Sequence, residues 1–288
     1  MKIEIIIPVR NCPSRVFRLL AELQNQLRKV NAVTTEIGVC IVDDASTDET
    51  GETVKGFVDD RRAGGEEWWR FIQLSERRNA GGARNAAART SNAPWLAFFD
   101  ADDTITPDAL RTLLGAFTGL IDEDVIVWGY VKKTKQGDSM WSPSFENCKT
   151  DIIKAPVGPW VKAVRRDKFV PFPEGVFCED CPWWFAQADK LTKAKVIPEA
   201  IYVYDRRDNC FSATLETFSR HPRTLEELAY NNVLVEQGLN DRAPSDCLRN
   251  LALMYDLRNQ LRKPEVREAW AKRFHTEYLN ILSGRWSF

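Results

Sequence analysis

Asp100-Ala101-Asp102-Asp103 places three carboxylates within four residues. Carboxylates that close repel one another, so they need solvent or a cation. A divalent metal with oxygen ligands is the natural partner. A solvated acidic turn would carry the same residues, because Asp is common in turns. Two further acidic pairs stand at Asp43-Asp44 and Glu179-Asp180. The second pair would also serve as the cap of a helix starting near Pro182. The only histidines, His221 and His275, lie in no motif, which argues against His-based triad catalysis. Cys178-Glu179-Asp180-Cys181 has C-x-x-C spacing, but no second such pair or His cluster supports zinc, and it reads as coincidental.

Elements able to position these acids can be read from the apolar pattern. Trp95–Phe99 is a short aromatic run ending at the acidic turn, a buried strand. Thr106-Pro107 opens a helix after it, with Thr106 as N-cap and Pro107 at the first helical position. Leu110, Leu113, Leu114 and Phe117 carry that helix on. Ile3–Val9 is almost continuously apolar, as in a strand buried on both faces of a parallel sheet. Val16, Leu20, Leu23, Leu27 and Val30 follow at helical spacing, giving an amphipathic helix over about Pro13–Val30. Ile37–Val42 is a second strand, running into Asp43-Asp44, and Ser46-Thr47-Asp48-Glu49 is a capping-box pattern for the next helix. Arg61–Glu67 reads as a surface loop and Trp69–Leu74 as a third strand. A glycine-rich turn then feeds an alanine-rich helix over Ala80–Arg89, and Val125–Tyr130 is another strand.

Strand and helix in alternation mean an α/β fold with a mainly parallel sheet. Ligands in such sheets bind outside the carboxyl ends of the strands. Pro8–Asn11, Asp43–Ser46 and Asp100–Asp103 all follow strands and converge on one edge, which favours a site over three unrelated turns. Periodicity lapses over about Lys132–Val157. Beyond Glu216 the pattern is helical, and about Ser219–Phe288 reads as a helical appendage.

Composition sets bounds. The chain has 288 residues, enough for one large domain or two small ones. Forty Lys and Arg against 41 Asp and Glu leave a formal net charge of -1, which argues neither for nor against an anionic partner. Seven Cys cannot all pair, and the N-terminus resembles a core strand, so reduced thiols in a cytoplasmic setting are expected. No run approaches the ~20 apolar residues of a transmembrane helix, so membrane contact, if present, is peripheral. The later Arg residues, Arg242 to Arg285, suit a solvated helix face or docking to anionic lipid or nucleic acid.

Ile5–Asn11 (IIIPVRN), Ile41–Thr50 (IVDDASTDET), Asn79–Asn85 (NAGGARN) and Phe98–Pro107 (FFDADDTITP) together resemble the nucleotide-binding half of family two glycosyltransferases with the GT-A fold. Val157–Val170, Glu174–Phe185 and Ile201–Thr214 resemble that family's acceptor-side segments, in the right order. The resemblance covers about residues 1–215, split near residue 130 into a nucleotide-binding and an acceptor half, with 216–288 appended. It implies a Rossmann-like, mainly parallel central sheet flanked by helices.

The resemblance also implies roles. Pro8, Val9 and Arg10 border the base of a sugar nucleotide, most simply a UDP-sugar. Asp44 accepts a hydrogen bond from that base, with Asp43 beside it for base or ribose. Arg84 contacts base or diphosphate, and Arg206, Arg207 and Ser212 lie in a loop over the diphosphate. Asp100-Ala101-Asp102 fits the DxD metal motif, and Asp103 allows a second register. The reading adopted puts Asp100 and Asp102 at the donor, and Asp102 and Asp103 at Mn2+ or Mg2+. Asp180, with Glu179, is the general base that deprotonates the acceptor hydroxyl. Trp183 and Trp184 are candidates for the floor of the acceptor site, with one of the pair expected in the core. The implied reaction is metal-dependent, inverting transfer to a glycan, lipid-linked, protein or modified nucleic-acid hydroxyl. The alternatives are a sugar-nucleotide nucleotidyltransferase, which would want glycine after the first strand where Pro8–Ser14 has none, and a non-catalytic sugar-nucleotide-binding protein.

Overall fold

Ile3, Ile5, Ile6, Ile7 and Val9 make the first strand apolar on both faces apart from Glu4, which is buried against Arg70, and it lies in the interior of the sheet. The computed structural model describes residues 1–30, 36–144, 152, 155–156, 158–174 and 179–207. In it β1 (Ile3–Val9) runs parallel to β2 (Ile37–Asp43) on one side and β4 (Trp95–Phe98) on the other. β3 (Trp69–Gln73) continues the parallel set beyond β2. Past β4 the sheet passes through antiparallel β8 (Lys162–Arg165) to β6 (Val125–Thr134), then β9 (Ala194–Asp205) parallel to β6, and β5 (Thr104–Ile105) antiparallel to β9. β7 (Gly137–Trp141) forms a hairpin with β6.

The two faces of β1 feed two cores because successive side chains alternate across a sheet. Ile3, Ile5 and Ile7 pack with Leu20, Leu23 and Leu27 of α1 (Pro13–Val30) and Val54 of α2 (Thr50–Ala63). Ile6, Cys40 and Phe98 pack with Ala83 and Ala87 of α3 (Asn79–Thr90) and with Trp183 and Trp184 of α5 (Asp180–Asp189). Each fully buried aliphatic side chain contributes about 1.5–3 kcal/mol. No described helix is long and apolar enough to cross a membrane.

Two local expectations fail because the capping residues are taken by other partners. Thr106 does not cap a helix: its hydroxyl donates to the Ala200 carbonyl at 2.7 Å, and α4 (Ala109–Ala116) begins after Asp108. Thr104–Ile105 pairs with β9 instead. Ser46 does not form the capping box either. Its hydroxyl donates to Asp43, while Thr47 bonds Asn11 and α2 starts at Thr50. Arg61–Ala63, expected in a loop, extends α2. β6 runs on to Thr134 where periodicity lapses, because β9 pairs with it as far as Lys133. The helical appendage, 216–288, lies outside the described residues, as do Ser212, His221, His275 and Cys178.

Candidate active site

β1, β2, β4, β6 and β9 all point the same way, so their carboxyl ends share one edge. The acidic turns expected there meet on it. Asp44 N donates to the Val9 carbonyl at 2.9 Å, closing β2 onto β1. Pro8 lies opposite Val42, and the Val9 side chain is buried in the core. Arg10 donates through Nη1 to the carbonyls of Asp44 and Ala45, bracing the turn. Asp43 is fully buried, and its carboxylate is committed to the Ser46 amide and hydroxyl. Asp44 is nearly as buried and accepts from the Arg78 amide at 2.6 Å. Burial pushes its carboxyl upward, partly opposed by that amide and by Arg10.

The turn after β4 carries Asp100, Asp102 and Asp103 in three different environments. Asp103 is 1% exposed. Its Oδ2 accepts from the Tyr202 hydroxyl at 2.6 Å and its Oδ1 from the Asp205 amide at 2.9 Å. Both oxygens therefore tie the turn to β9. Burial, then the charges of Asp102 and Asp100, push the Asp103 carboxyl well up. Asp103, expected at the metal, is thus buried and engaged as an anchor of the turn. Asp100 and Asp102 keep partly exposed carboxylates, with side chains 29% and 24% exposed. Asp100 Oδ1 accepts from Arg84 Nη2 at 2.7 Å. Arg15 lies 4.0 Å from Asp102, and Arg18 donates to the Asp102 carbonyl at 3.0 Å.

Arg84 links this turn to the other acidic pair. Its guanidinium is 3% exposed, with one arm on Asp100 and the other on Glu179. The fork suits two carboxylates at once. Two acids keep the buried arginine charged against its own desolvation. Gly81, one turn earlier on α3, makes this approach possible. A Cβ there would fall 3.0 Å from Glu179 Cγ and collide with the Pro173 carbonyl. Glu179 is buried, and burial raises its carboxyl, with Arg84 opposing and Asp180 adding to the shift. Asp180 opens the first turn of α5 and is only partly buried.

Trp183 and Trp184 are each 0% exposed. Trp183 stacks on Phe172 and donates to the Val170 carbonyl at 2.9 Å. Where one of the pair was expected in the core, both are packed there. Arg206 donates its amide to the Lys133 carbonyl at 2.8 Å and its guanidinium to Tyr204. Arg207 clasps Asp205, whose carboxyl is drawn down to about 2, by Arg207 first and Arg18 next.

Sequence reasoning missed Arg18, Tyr202 and Asp205, which fasten the acidic turn from α1 and β9. Tyr202 and Asp205 lie within Ile201–Thr214, but nothing in that segment assigned them a role. Arg18 was readable only as one polar position on an amphipathic helix, and Asp205 only as a break in a basic run.

Among the described residues no three acidic, His or Cys side chains gather to hold an ion by themselves. Two partly exposed carboxylates still suit Mn2+ or Mg2+, because Mg2+ commonly takes one or two carboxylates plus substrate phosphates. The repulsion that Asp102 and Asp100 exert on Asp103 is a feature that a cation would relieve.

Residues 4–188 match the family model for glycosyl transferase family 2. A succinoglycan biosynthesis protein of Rhizobium meliloti, ExoO, is 40% identical over 82 residues, 28% of this chain and 21% of that protein. The poly(ribitol-phosphate) beta-N-acetylglucosaminyltransferase TarS of Staphylococcus aureus is 31% identical over 114 residues, 38% of this chain and 18% of that protein. The chain matches less than half the length of these curated relatives. The structure of TarS 1-349 with UDP-GlcNAc superposes with a TM-score of 0.62 at 20% identity, covering 98% of this chain and 72% of that one. The mannosyltransferase PcManGT of Pyrobaculum calidifontis, with GDP-Man and Mn2+, superposes at 0.53 and 16% identity, covering 98% and 84%. The shared architecture is the GT-A fold.

Proposed function

The chain belongs to glycosyl transferase family 2, and we propose that it moves a sugar from a nucleoside diphosphate sugar to a hydroxyl acceptor, with inversion. The observation that supports this most is the buried Arg84 fork, which joins Asp100 on the donor turn to Glu179 on the acceptor side. One rigid cation thus sets the distance between the two halves of a displacement reaction.

Asp44, at the end of β2, accepts from the donor base. Asp100 and Asp102 would hold Mn2+ or Mg2+ with the diphosphate. That cation, when bound, supplies positive charge to the leaving nucleoside diphosphate. Arg206 and Arg207, at the end of β9, lie on the same edge and suit phosphate. Asp180 removes the proton of the acceptor hydroxyl as its oxygen bonds to the anomeric carbon. The bond from that carbon to the diphosphate oxygen breaks in the same step, and a single displacement inverts the centre. Glu179, buried and bound to Arg84, aligns Asp180 without taking the proton itself.

UDP-GlcNAc and GDP-Man are bound in the superposed structures, which makes them the first donors to try. Calorimetry with each, with and without Mn2+, is expected to give Mn2+-dependent binding, and a coupled assay is expected to detect slow hydrolysis. Binding that persists in excess chelator would remove the metal from the reading. Binding without turnover for every donor and acceptor tried would favour a sugar-nucleotide-binding protein.

A further inference from the structure

Arg18, Glu22 and Gln26 recur at four-residue spacing on α1, so they share one face of that helix. The row runs along the acidic turn and the chain that follows it. Gln26 is 6% exposed. Its Nε2 donates to the Thr106 carbonyl at 2.9 Å and to Glu22 at 3.1 Å, and its Oε1 accepts from the Leu110 amide at 3.0 Å. This buried grip fixes α1 against the segment after the turn. About two helical turns nearer the start of α1, Arg18 reaches the turn itself. Its Nη2 donates to the Asp102 carbonyl at 3.0 Å and its Nη1 to Asp205 Oδ2 at 3.2 Å.

The turn is thus gripped at each of its acids. Asp100 gives its amide to the Tyr202 hydroxyl, and Asp103 is bonded through both oxygens to β9. Asp102, between them, is held at its carbonyl by Arg18. The first two grips are made from β9 by neutral groups. The third is made by a cation whose side chain is 41% exposed. Ion pairs at that exposure contribute little to folding, so the value of this one lies in geometry. The Asp102 carbonyl belongs to the rigid peptide plane that leads into Asp103. With that plane held by Arg18 and Asp103 held by β9, the direction of the Asp102 side chain is set before anything binds.

We propose that Arg18 is a positioning residue for the cation: its fork pins the Asp102 main chain to Asp205 and so aims the Asp102 carboxylate at the metal. The inference rests on Asp102 taking the cation. A carboxylate already aimed loses less conformational freedom on binding, and ordering one backbone residue corresponds to roughly a tenfold change in affinity.

The competing role is a surface staple between α1 and β9, which would affect stability and leave the turn unchanged. Mn2+ titration at fixed UDP-GlcNAc, read by calorimetry, separates the two. Arg18→Ala is expected to raise the Mn2+ midpoint about tenfold. Its urea midpoint should stay close to wild type, and so should its binding of uridine, which meets Asp44 and not the cation. Arg18→Lys keeps the charge but cannot fork, and it is expected to recover little. An unmoved Mn2+ midpoint in Arg18→Ala would overturn the proposal. Full recovery by Arg18→Lys would do the same, by making charge and not the fork the effective feature. Uridine binding lost in parallel also counts against it, since the loosening would then reach the base site. Should Arg18→Ala fail to fold, Asp205→Asn opens the fork at its other end and is expected to shift the Mn2+ midpoint in the same direction; no shift there overturns the proposal. Wild-type UDP-GlcNAc binding that ignores Mn2+ strikes the metal reading itself, and this inference with it, before any variant is compared. A Mn2+-dependent wild type with an indifferent Arg18→Ala strikes the clamp alone.

Discussion

Asp102-Asp103 and Glu179-Asp180 are both pairs of neighbouring acids on the site edge, and each pair is divided the same way. One member is buried and bonded inward, Asp103 or Glu179, and the other stays partly exposed, Asp102 or Asp180. The means of holding the buried member differ. Asp103 has only neutral donors, the Tyr202 hydroxyl and the Asp205 amide. Glu179 has the Arg84 guanidinium. Neutral donors leave Asp103 exposed to the charges of Asp100 and Asp102, which a cation from solution would offset. Glu179, by contrast, is already met by a protein cation.

Removing the shared cation breaks the comparison most severely. Arg84→Met leaves Glu179 buried and unpaired, and an expected loss of about 3–5 kcal/mol should appear as a lowered urea midpoint. Arg84→Lys should recover only part, since one ammonium cannot fork to both acids. Asp180→Asn tests the division within its pair. It is expected to reduce transfer or donor hydrolysis at least ~100-fold while calorimetric donor binding stays near wild type. A variant retaining most of its activity would move the base elsewhere.

Tyr202→Phe probes the neutral side. The hydroxyl both donates to Asp103 and accepts from the Asp100 amide, so about 1–3 kcal/mol is expected to be lost. Because Asp103 is raised in the folded state, its contribution is full at low pH and fades as pH rises through its folded value. The Tyr202 hydroxyl opposes that upward shift by favouring the ionised carboxylate, so the Tyr202→Phe loss should be larger in denaturation at pH 8 than at pH 5. The smallest effect belongs to Arg207→Ala. Asp205 is drawn from 3.8 to about 2, so its stabilisation is present above 3.8 and lost as pH falls through about 2. Arg207 is 49% exposed in its side chain and Arg18 remains, so less than about 1 kcal/mol should disappear, read from unfolding between pH 4 and 2.

Strands with both faces buried, such as Ile3–Val9 and Ile37–Val42, were legible because continuous apolar runs of that length leave few alternatives. The edge that gathers the acids followed from them. Residues that answer to distant partners were not legible. Thr106 looks like a cap because its neighbours in sequence are helix-forming, yet its hydroxyl is taken by Ala200, 94 positions away. Trp183 and Trp184 look like a sugar platform because they neighbour an acidic pair, yet a helix turns both inward against Phe172 and Lys162. Asp103 was indistinguishable from Asp102 by type, and only the arrival of Tyr202 and the Asp205 amide separates them. Local pattern reports periodicity, whereas these assignments depend on which strand lies alongside.

The latch between Asp103 and β9 has a mechanical consequence. Asp205 is bonded to Asp103 through its amide, and the next amide, that of Arg206, grips Lys133 on β6. Arg206 and Arg207, just past β9, thus share the short tether that carries the acidic turn. A pull applied there would load the Asp103 bonds before it reached the core, and a push would relax them. Force on one end of β9 is a setting for the tension of the acidic turn.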